Sequence, residues 1–140
     1  MYTPKYFSLS EFLYSYTAKV NSIENLPTFE QVENLNRLCK LVLDDARMKL
    51  GSPIRVNSGF RNVDLNKRVG GALNSQHCRG LAADISCKNM GLLFDILTTN
   101  PNIDQLLNEY KGKNHWIHVS IAPKGKQPRK YIQNLFYADK

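Results

Sequence analysis

Cysteine is scarce in this chain: Cys39, Cys78 and Cys87 are the only three, and no two form a Cys-x-x-Cys pair. An odd count without such a pair excludes a closed disulfide framework and a structural zinc knuckle. Cys39 falls on a helix face and reads as core, Cys78 stands beside His77 where a thiolate could meet a metal, and all three read as reduced thiols. No apolar run approaches the roughly 18 residues of a membrane span, so no span is expected. The opening residues Met1-Tyr2-Thr3-Pro4-Lys5-Tyr6 show no apolar stretch following a basic one, which predicts synthesis in a cytoplasm without a secretory leader. Internal repeats and low-complexity tracts are missing too. So are a phosphate-loop pattern after Gly70-Gly71 and any Ser-His-Asp or Cys-His nucleophile arrangement, which excludes the common nucleotide-binding and covalent-hydrolase designs. Acidic residues are outnumbered, 12 against 19 Lys and Arg, for a net charge of +7. That balance favours polyanions, either nucleic acid or an anionic cell wall. Part of the excess sits in Lys124-Gly125-Lys126-Gln127-Pro128-Arg129-Lys130 and the rest is scattered, as on any solvated surface.

What is present fits one domain over residues 1–140, long enough to bury a core. Ser8-Leu9-Ser10-Glu11 is a capping box, predicting a short helix to about Ala18 with Phe12 and Leu13 inward. Thr28-Phe29-Glu30-Gln31 is a second box. The stripe Val32, Leu35, Leu38, Cys39, Val42 and Ala46 carries the longest helix to about Leu50, ended by Gly51 with Pro53 beyond. Ile54–Asn57 alternates as a strand and Ser58-Gly59-Phe60-Arg61 turns off its end. Asn62 caps a short helix through Val69. Leu81–Cys87 is a second strand, and Asn89 starts a helix to Thr99 with Leu92, Leu93, Ile96 and Leu97 inward. Asn100-Pro101 breaks it, and Ile103–Tyr110 reads as one or two further helical turns. Trp116–Ile121 is a third strand, and Tyr131–Phe136 an edge strand after the basic turn. The parts are thus N-terminal helices over 8–50, a core over 54–121, and a basic turn with an edge strand over 122–140. The fold class is α+β, a small antiparallel sheet packed on a long helix.

The residues that carry chemistry lie in two strips. An Asp within Leu81-Ala82-Ala83-Asp84-Ile85 is costly to bury unless something neutralises it. Histidine occurs three times, at His77, seven residues before that Asp, and at His115 and His118 in or beside the third strand. Side chains alternate along strands, so Ala82, Asp84 and Ser86 share one face, as do Trp116, His118 and Ser120. If the two strands are neighbours, Asp84 and His118 meet above the sheet with the aliphatic rows beneath, and His77 returns from its loop to close a triangle. Gly80, Ala82 and Ala83 leave room for that loop. Two imidazoles and one carboxylate form a ligand set suited to zinc, with a fourth position left for water. On spacing alone, a strand-edge His or Asp without a metal role is an equal reading.

Ser75-x-His77-x-x-Gly80-x-Ala82-x-Asp84, followed by Trp116-Ile117-His118-Val119, resembles the zinc D-Ala-D-Ala carboxypeptidase family of peptidoglycan peptidases. Val56-Asn57-Ser58-Gly59-Phe60-Arg61 is similar to the Ser-Gly-Tyr-Arg segment of that family, and the matches run in order over about 54–121. The N-terminal helices resemble those of small members encoded by phages. The resemblance implies the fold shared with the Hedgehog signalling domain, one zinc ion held by His77, Asp84 and His118, and Arg61 polarising the scissile carbonyl. It also matches Ser75 to a serine that contacts substrate. Trp116 reads as a wall of the cleft or part of the core, and Tyr110 likewise.

One position departs from the family pattern. Relatives often carry Glu or Asp three residues before the last zinc histidine, as the base that takes a proton from water; here it is His115. His115 is the expected base, since imidazole can serve, its ordinary pKa lying near neutrality. By strict alternation, however, His115 points away from His118 unless the strand starts after it. Glu109 and Asp104, in the stretch read as helical, are other sources of a carboxylate. The reading is a monomeric, phage-encoded zinc peptidase acting on peptidoglycan stem peptides, carried in a virion or released at lysis, with no nucleic-acid partner. A zinc-stabilised wall- or protein-binding module without a working base is the alternative. A basic nucleic-acid-binding protein is motivated by charge alone.

Overall fold

The computed structural model describes residues 1–138. Its helices begin where side chains can satisfy the first free backbone N–H groups. At α1 (Leu9–Leu13) the Glu11 carboxylate accepts from the Ser8 N–H at 2.7 Å. The expected helix to Ala18 is interrupted: Tyr14 is extended, and Ser15 Oγ accepts from the Ala18 N–H at 3.2 Å, which opens α2 (Tyr16–Val20). A serine that caps a new turn competes with continuing the old one. At α3 (Phe29–Leu38) Thr28 and Gln31 exchange bonds, 2.8 Å from the Thr28 N–H and 3.2 Å to Thr28 Oγ1.

The long helix predicted over 28–50 is there, with one departure. After α3 a wider π turn spans Cys39–Leu43 before α4 (Asp44–Leu50) runs to Gly51, whose φ of 74° ends it. The carbonyl of Leu41, within the π turn, accepts from the side-chain amides of Asn100 at 3.0 Å and Asn102 at 3.4 Å. Asp44 accepts from the Tyr2 hydroxyl and from the Lys5 and Tyr6 N–H groups, pinning the N-terminal segment to this helix.

Among the described residues the sheet has five strands: β1 (Arg55–Ser58), β2 (Ala82–Ser86), β3 (Ile103–Lys111), β4 (Asn114–Ile121) and β5 (Tyr131–Tyr137), in the spatial order β1-β2-β4-β3-β5. All neighbours are antiparallel except β3 and β5. Between β1 and β2 lie α5 (Val63–Arg68) and a short 3₁₀ turn, Gln76–Arg79; α6 (Met90–Thr98) lies between β2 and β3. Asn62 and Asn89 cap α5 and α6 as expected.

The stretch Ile103–Tyr110 is a correction. It is not helical but β3, paired on both sides. Ile103, Leu106, Leu107 and Tyr110 recur at helical spacing because a shift of register between Ile103 and Leu106 breaks the alternation of the strand. A tight turn through Gly112, φ 57°, joins it to β4. The edge strand β5 is also confirmed, but it runs parallel to β3. After β4 the chain wraps round the start of β3, held by Arg129 N–H to Asp104 Oδ1 at 2.8 Å and Lys130 N–H to the Ile103 carbonyl at 3.2 Å.

One face of the sheet packs on the helices. Ala83, Ile85, Leu106, Ile117, Val119 and Ile121 are buried there with Leu35, Leu38, Val42 and Ala46 of the long helix and Leu93 and Leu97 of α6. Burying each large aliphatic side chain contributes about 1.5–3 kcal/mol. The other face is open, and the cross-strand pairs Asp84–His118, Leu107–His118 and Glu109–Trp116 set which residues stand on it. Among the described residues no helix is long and apolar enough to cross a membrane.

Candidate metal centre

His77, Asp84 and His118 come together on the open face. One ligand atom from each lies within 4.8 Å of the others. His77 Nε2 is 3.3 Å and His118 Nδ1 3.0 Å from the same oxygen, Asp84 Oδ1. Three elements place them. Ser75 Oγ accepts from the His77 N–H at 3.2 Å and so caps the 3₁₀ turn; β2 presents Asp84; β4, in register with it, presents His118.

The outer nitrogens of both rings are spoken for. His77 Nδ1 lies 2.7 Å from the carbonyl of Gly59, which only a ring N–H can bond. Gly59 has no room for a side chain, since a Cβ there would stand 2.6 Å from the Phe12 carbonyl oxygen. His118 Nε2 lies 3.2 Å from Gln76 Oε1, and the Gln76 amide is oriented by its own donation to Asp104 Oδ2 at 3.0 Å. With those tautomers fixed, the inward atoms are two imidazole lone pairs and a carboxylate oxygen facing one another. Such a group needs a cation or additional protons among its members. Tetrahedral ligands at about 2.0–2.1 Å from zinc stand about 3.3 Å apart, so the spacing fits that ion. Burial alone opposes ionisation of Asp84, but hydrogen bonds from His118 and His77, made when those additional protons sit on the inward nitrogens, prevail and hold its carboxyl well below the ordinary range, in the form that binds metal.

Gly80 has a different reason from the one the sequence offered. It is left-handed, φ 74°, and a Cβ there would meet the Gln31 carbonyl oxygen at 2.5 Å. It closes the turn against α3; it does not make space for the metal loop. Cys78 is not part of the ligand group.

The group lies in a cleft of about 700 Å³ that Arg61, Ser75, Trp116, Glu109 and Tyr137 also line. Arg61 is under-partnered: Nη2 reaches Ser75 Oγ at only 3.4 Å, and the buried Nε has no partner among the described residues. Burial pushes its pKa down from the ordinary value, with Asp84 acting the other way. It is a desolvated donor facing the cleft. Ser75 both caps the ligand turn and supports Arg61, and Trp116 forms cleft wall, its ring stacked on Tyr137 with centroids 6.3 Å apart.

His115 stands elsewhere. β4 starts at Asn114, so alternation holds and His115 faces the opposite side of the sheet from His118. Its ring stacks on Tyr110 at 4.0 Å, and Nε2 meets Asn108 Oδ1. Burial pushes its pKa down. The carboxylate on the cleft side is Glu109. It is 8% exposed, Oε2 accepting from Trp116 Nε1 at 2.9 Å and Oε1 from the Tyr137 hydroxyl at 2.5 Å. Burial and this bond push the Tyr137 phenol up to about 12. Sequence reasoning named Glu109 without placing it, because β3 read as helix. It missed Gln76, Arg129 and Tyr137, whose roles arise from contacts over 25 or more residues and leave no local signal. Asp104 faces Gln76 and Arg129, whose guanidinium and backbone N–H hold its carboxyl below the ordinary range despite burial.

Comparison with known proteins agrees with this geometry. The model of the family described as peptidase M15 matches residues 5–120. Over 70 residues the chain is 40% identical to the zinc D-Ala-D-Ala carboxypeptidase of Streptomyces albus G, an alignment covering 49% of this chain and 28% of that protein. The chain therefore spans little more than a quarter of the length of that relative.

Proposed function

The chain belongs to the peptidase M15 family, and we propose that it is a zinc peptidase hydrolysing peptide bonds in peptidoglycan stem peptides. The observation that carries this reading is the convergence of His77, Asp84 and His118 in one cleft with a half-buried, under-partnered arginine and a carboxylate. The relative's name, a zinc D-Ala-D-Ala carboxypeptidase, supports the metal and the substrate class.

His77 Nε2, Asp84 and His118 Nδ1 would hold the ion, and the Gly59 carbonyl and Gln76 amide would keep both rings in the required tautomer. Zinc in such a site supplies a Lewis acid and makes water a nucleophile near neutral pH. The chain's own groups do the rest. Arg61 donates to the carbonyl oxygen of the bond to be cut, where negative charge develops; a fixed donor so aimed is worth about 10²–10³ in rate. Glu109 accepts the proton of the attacking water and passes it to the leaving nitrogen. Two donors hold its carboxylate, but a carboxylate has roughly four acceptor positions, so lone pairs remain for that proton. Trp116 and Tyr137 orient it and form the wall along which the peptide lies. His115, on the other face, takes no part in this scheme.

The test is metal content and digestion of purified peptidoglycan by the wild type and by His77→Ala. One zinc per chain, with fragments only from the wild type and abolished by a chelator, is the expected result. Fragment masses then name the bond. Zinc without fragments would instead make the protein a wall-binding module, and no zinc would end the reading.

A further inference from the structure

A second cavity, of about 300 Å³, adjoins the cleft and shares Asn74, Gln76 and Arg129 with it. Its remaining charged lining is Arg79, Lys126 and Asp104. The charges do not cancel. Asp104 is 3% exposed and already taken: Arg129 Nε reaches both its oxygens at 3.1 Å, Arg129 Nη2 donates at 2.7 Å, and Gln76 donates at 3.0 Å. Those contacts leave the Nη1 edge of Arg129 without a carboxylate partner. Arg79 and Lys126 are exposed, and among the described residues neither has an ion-pair partner. The cavity is thus a concavity with unneutralised cations around a pre-oriented guanidinium, one hydrogen-bonded residue, Gln76, away from His118.

We propose that this cavity is a subsite for a carboxylate carried by the peptide in the cleft, so that the enzyme selects acidic peptides. The proposal rests on the peptidase reading and adds to it a specificity determinant. Three features favour a group on the substrate itself over a separate anion. The cavity borders the cleft across shared residues, it has room for a side chain or chain terminus, and stem peptides carry free carboxylates close to their peptide bonds. The Asp104 tie holds the Arg129 fork in place before any ligand arrives, and an arginine so oriented loses less freedom on binding a carboxylate than a free one. Arg129 and Lys126 both lie beyond residue 120, where the family match ends. The subsite is therefore built partly from the C-terminal basic turn.

The experiment compares two probes, a stem pentapeptide with its carboxylates free and the same peptide with them converted to carboxamides. The chain has a single tryptophan, Trp116, in the cleft wall, so binding is read by its fluorescence and cleavage by mass spectrometry. The proteins are the zinc-loaded wild type and an Arg79→Gln/Lys126→Gln double variant, whose changes are at exposed positions; thermal melting verifies their folding. The wild type is expected to bind the free acid about tenfold more tightly than the amide, with the preference shrinking in high salt. The double variant is expected to lose most of that preference through weaker binding of the acid. If both peptides bind and are cut equally, or if the double variant keeps the preference, the subsite is overturned and the peptidase reading stands. Selective binding of the acid by the wild type, lost in the double variant and without cleavage of either peptide, keeps the subsite and overturns the peptidase reading. If neither peptide binds, both are overturned.

Discussion

In the proposed reaction Arg61 and Glu109 divide the chemistry of the cleft between a half-buried donor and a tethered acceptor. Arg61 keeps its charge without a matched carboxylate: its nearest bond is a long one to Ser75, and its Nε is buried and unpartnered. That is a poor arrangement for stability and a good one for an oxygen that arrives with substrate. Glu109 is held at both oxygens by Trp116 and Tyr137, so its position owes little to the solvent. Glu109→Gln is expected to lower kcat by about 10²–10⁴ with zinc content unchanged, the range for loss of a general base. His115→Gln is expected to change it no more than a few-fold, because that ring stacks on Tyr110 on the far face. Steady-state rates on one peptide, alongside zinc analysis, separate the two; a large loss at His115 with Glu109→Gln active would reverse the assignment.

Among the elements, β3 governs the shape of the site. Its sequence carries the spacing of a helix, but the strand lies between β4 and β5 and hydrogen-bonds to both. Tertiary pairing has overridden a weak local preference, as it readily does over so short a stretch. The same strand carries Asp104, which ties down the wrap of chain leading to β5 through the Arg129 side chain and backbone. Hydrogen bonds from Arg129 make this carboxyl more acidic than in the unfolded chain. Its stabilisation is therefore complete above the unfolded value of about 4 and is lost as pH falls through the lower folded value. Asp104→Asn is expected to cost about 1–2 kcal/mol at pH 7, with wild type and variant converging as the pH drops below about 4. Urea denaturation across that range measures it, and a gap independent of pH would mean that packing, not charge, is responsible.

For the molecule as a whole, the three candidate metal ligands come from the 3₁₀ turn, β2 and β4, so an ion among them would join a loop to the sheet centre. Binding to the folded state alone adds RT ln(1 + [L]/Kd), about 4 kcal/mol when zinc is a thousandfold above its Kd. Removing zinc with a chelator is expected to lower Tm by on the order of 10 °C in a chain of this size, and His77→Ala is expected to melt alike with and without it. Scanning calorimetry decides; a wild-type Tm indifferent to chelator would count against the ion. Much of this architecture was legible beforehand. The caps at Thr28, Asn62 and Asn89, the apolar stripe of the long helix and the alternation around Asp84 and His118 are local signals, each arising within a few residues of chain. They determined the helices that form, four of the five strands and, through the ordered His, Asp and Arg motifs, the family and a candidate ligand set. The tertiary structure alone decided that Ile103–Lys111 is a strand, that Glu109 and not His115 stands in the cleft, and that β5 runs parallel. It also decided that Gln76, Arg129 and Tyr137 reach the site. Which face a side chain takes depends on register with a partner strand, and a long-range hydrogen bond depends on where the chain returns; neither is written in the residues beside it.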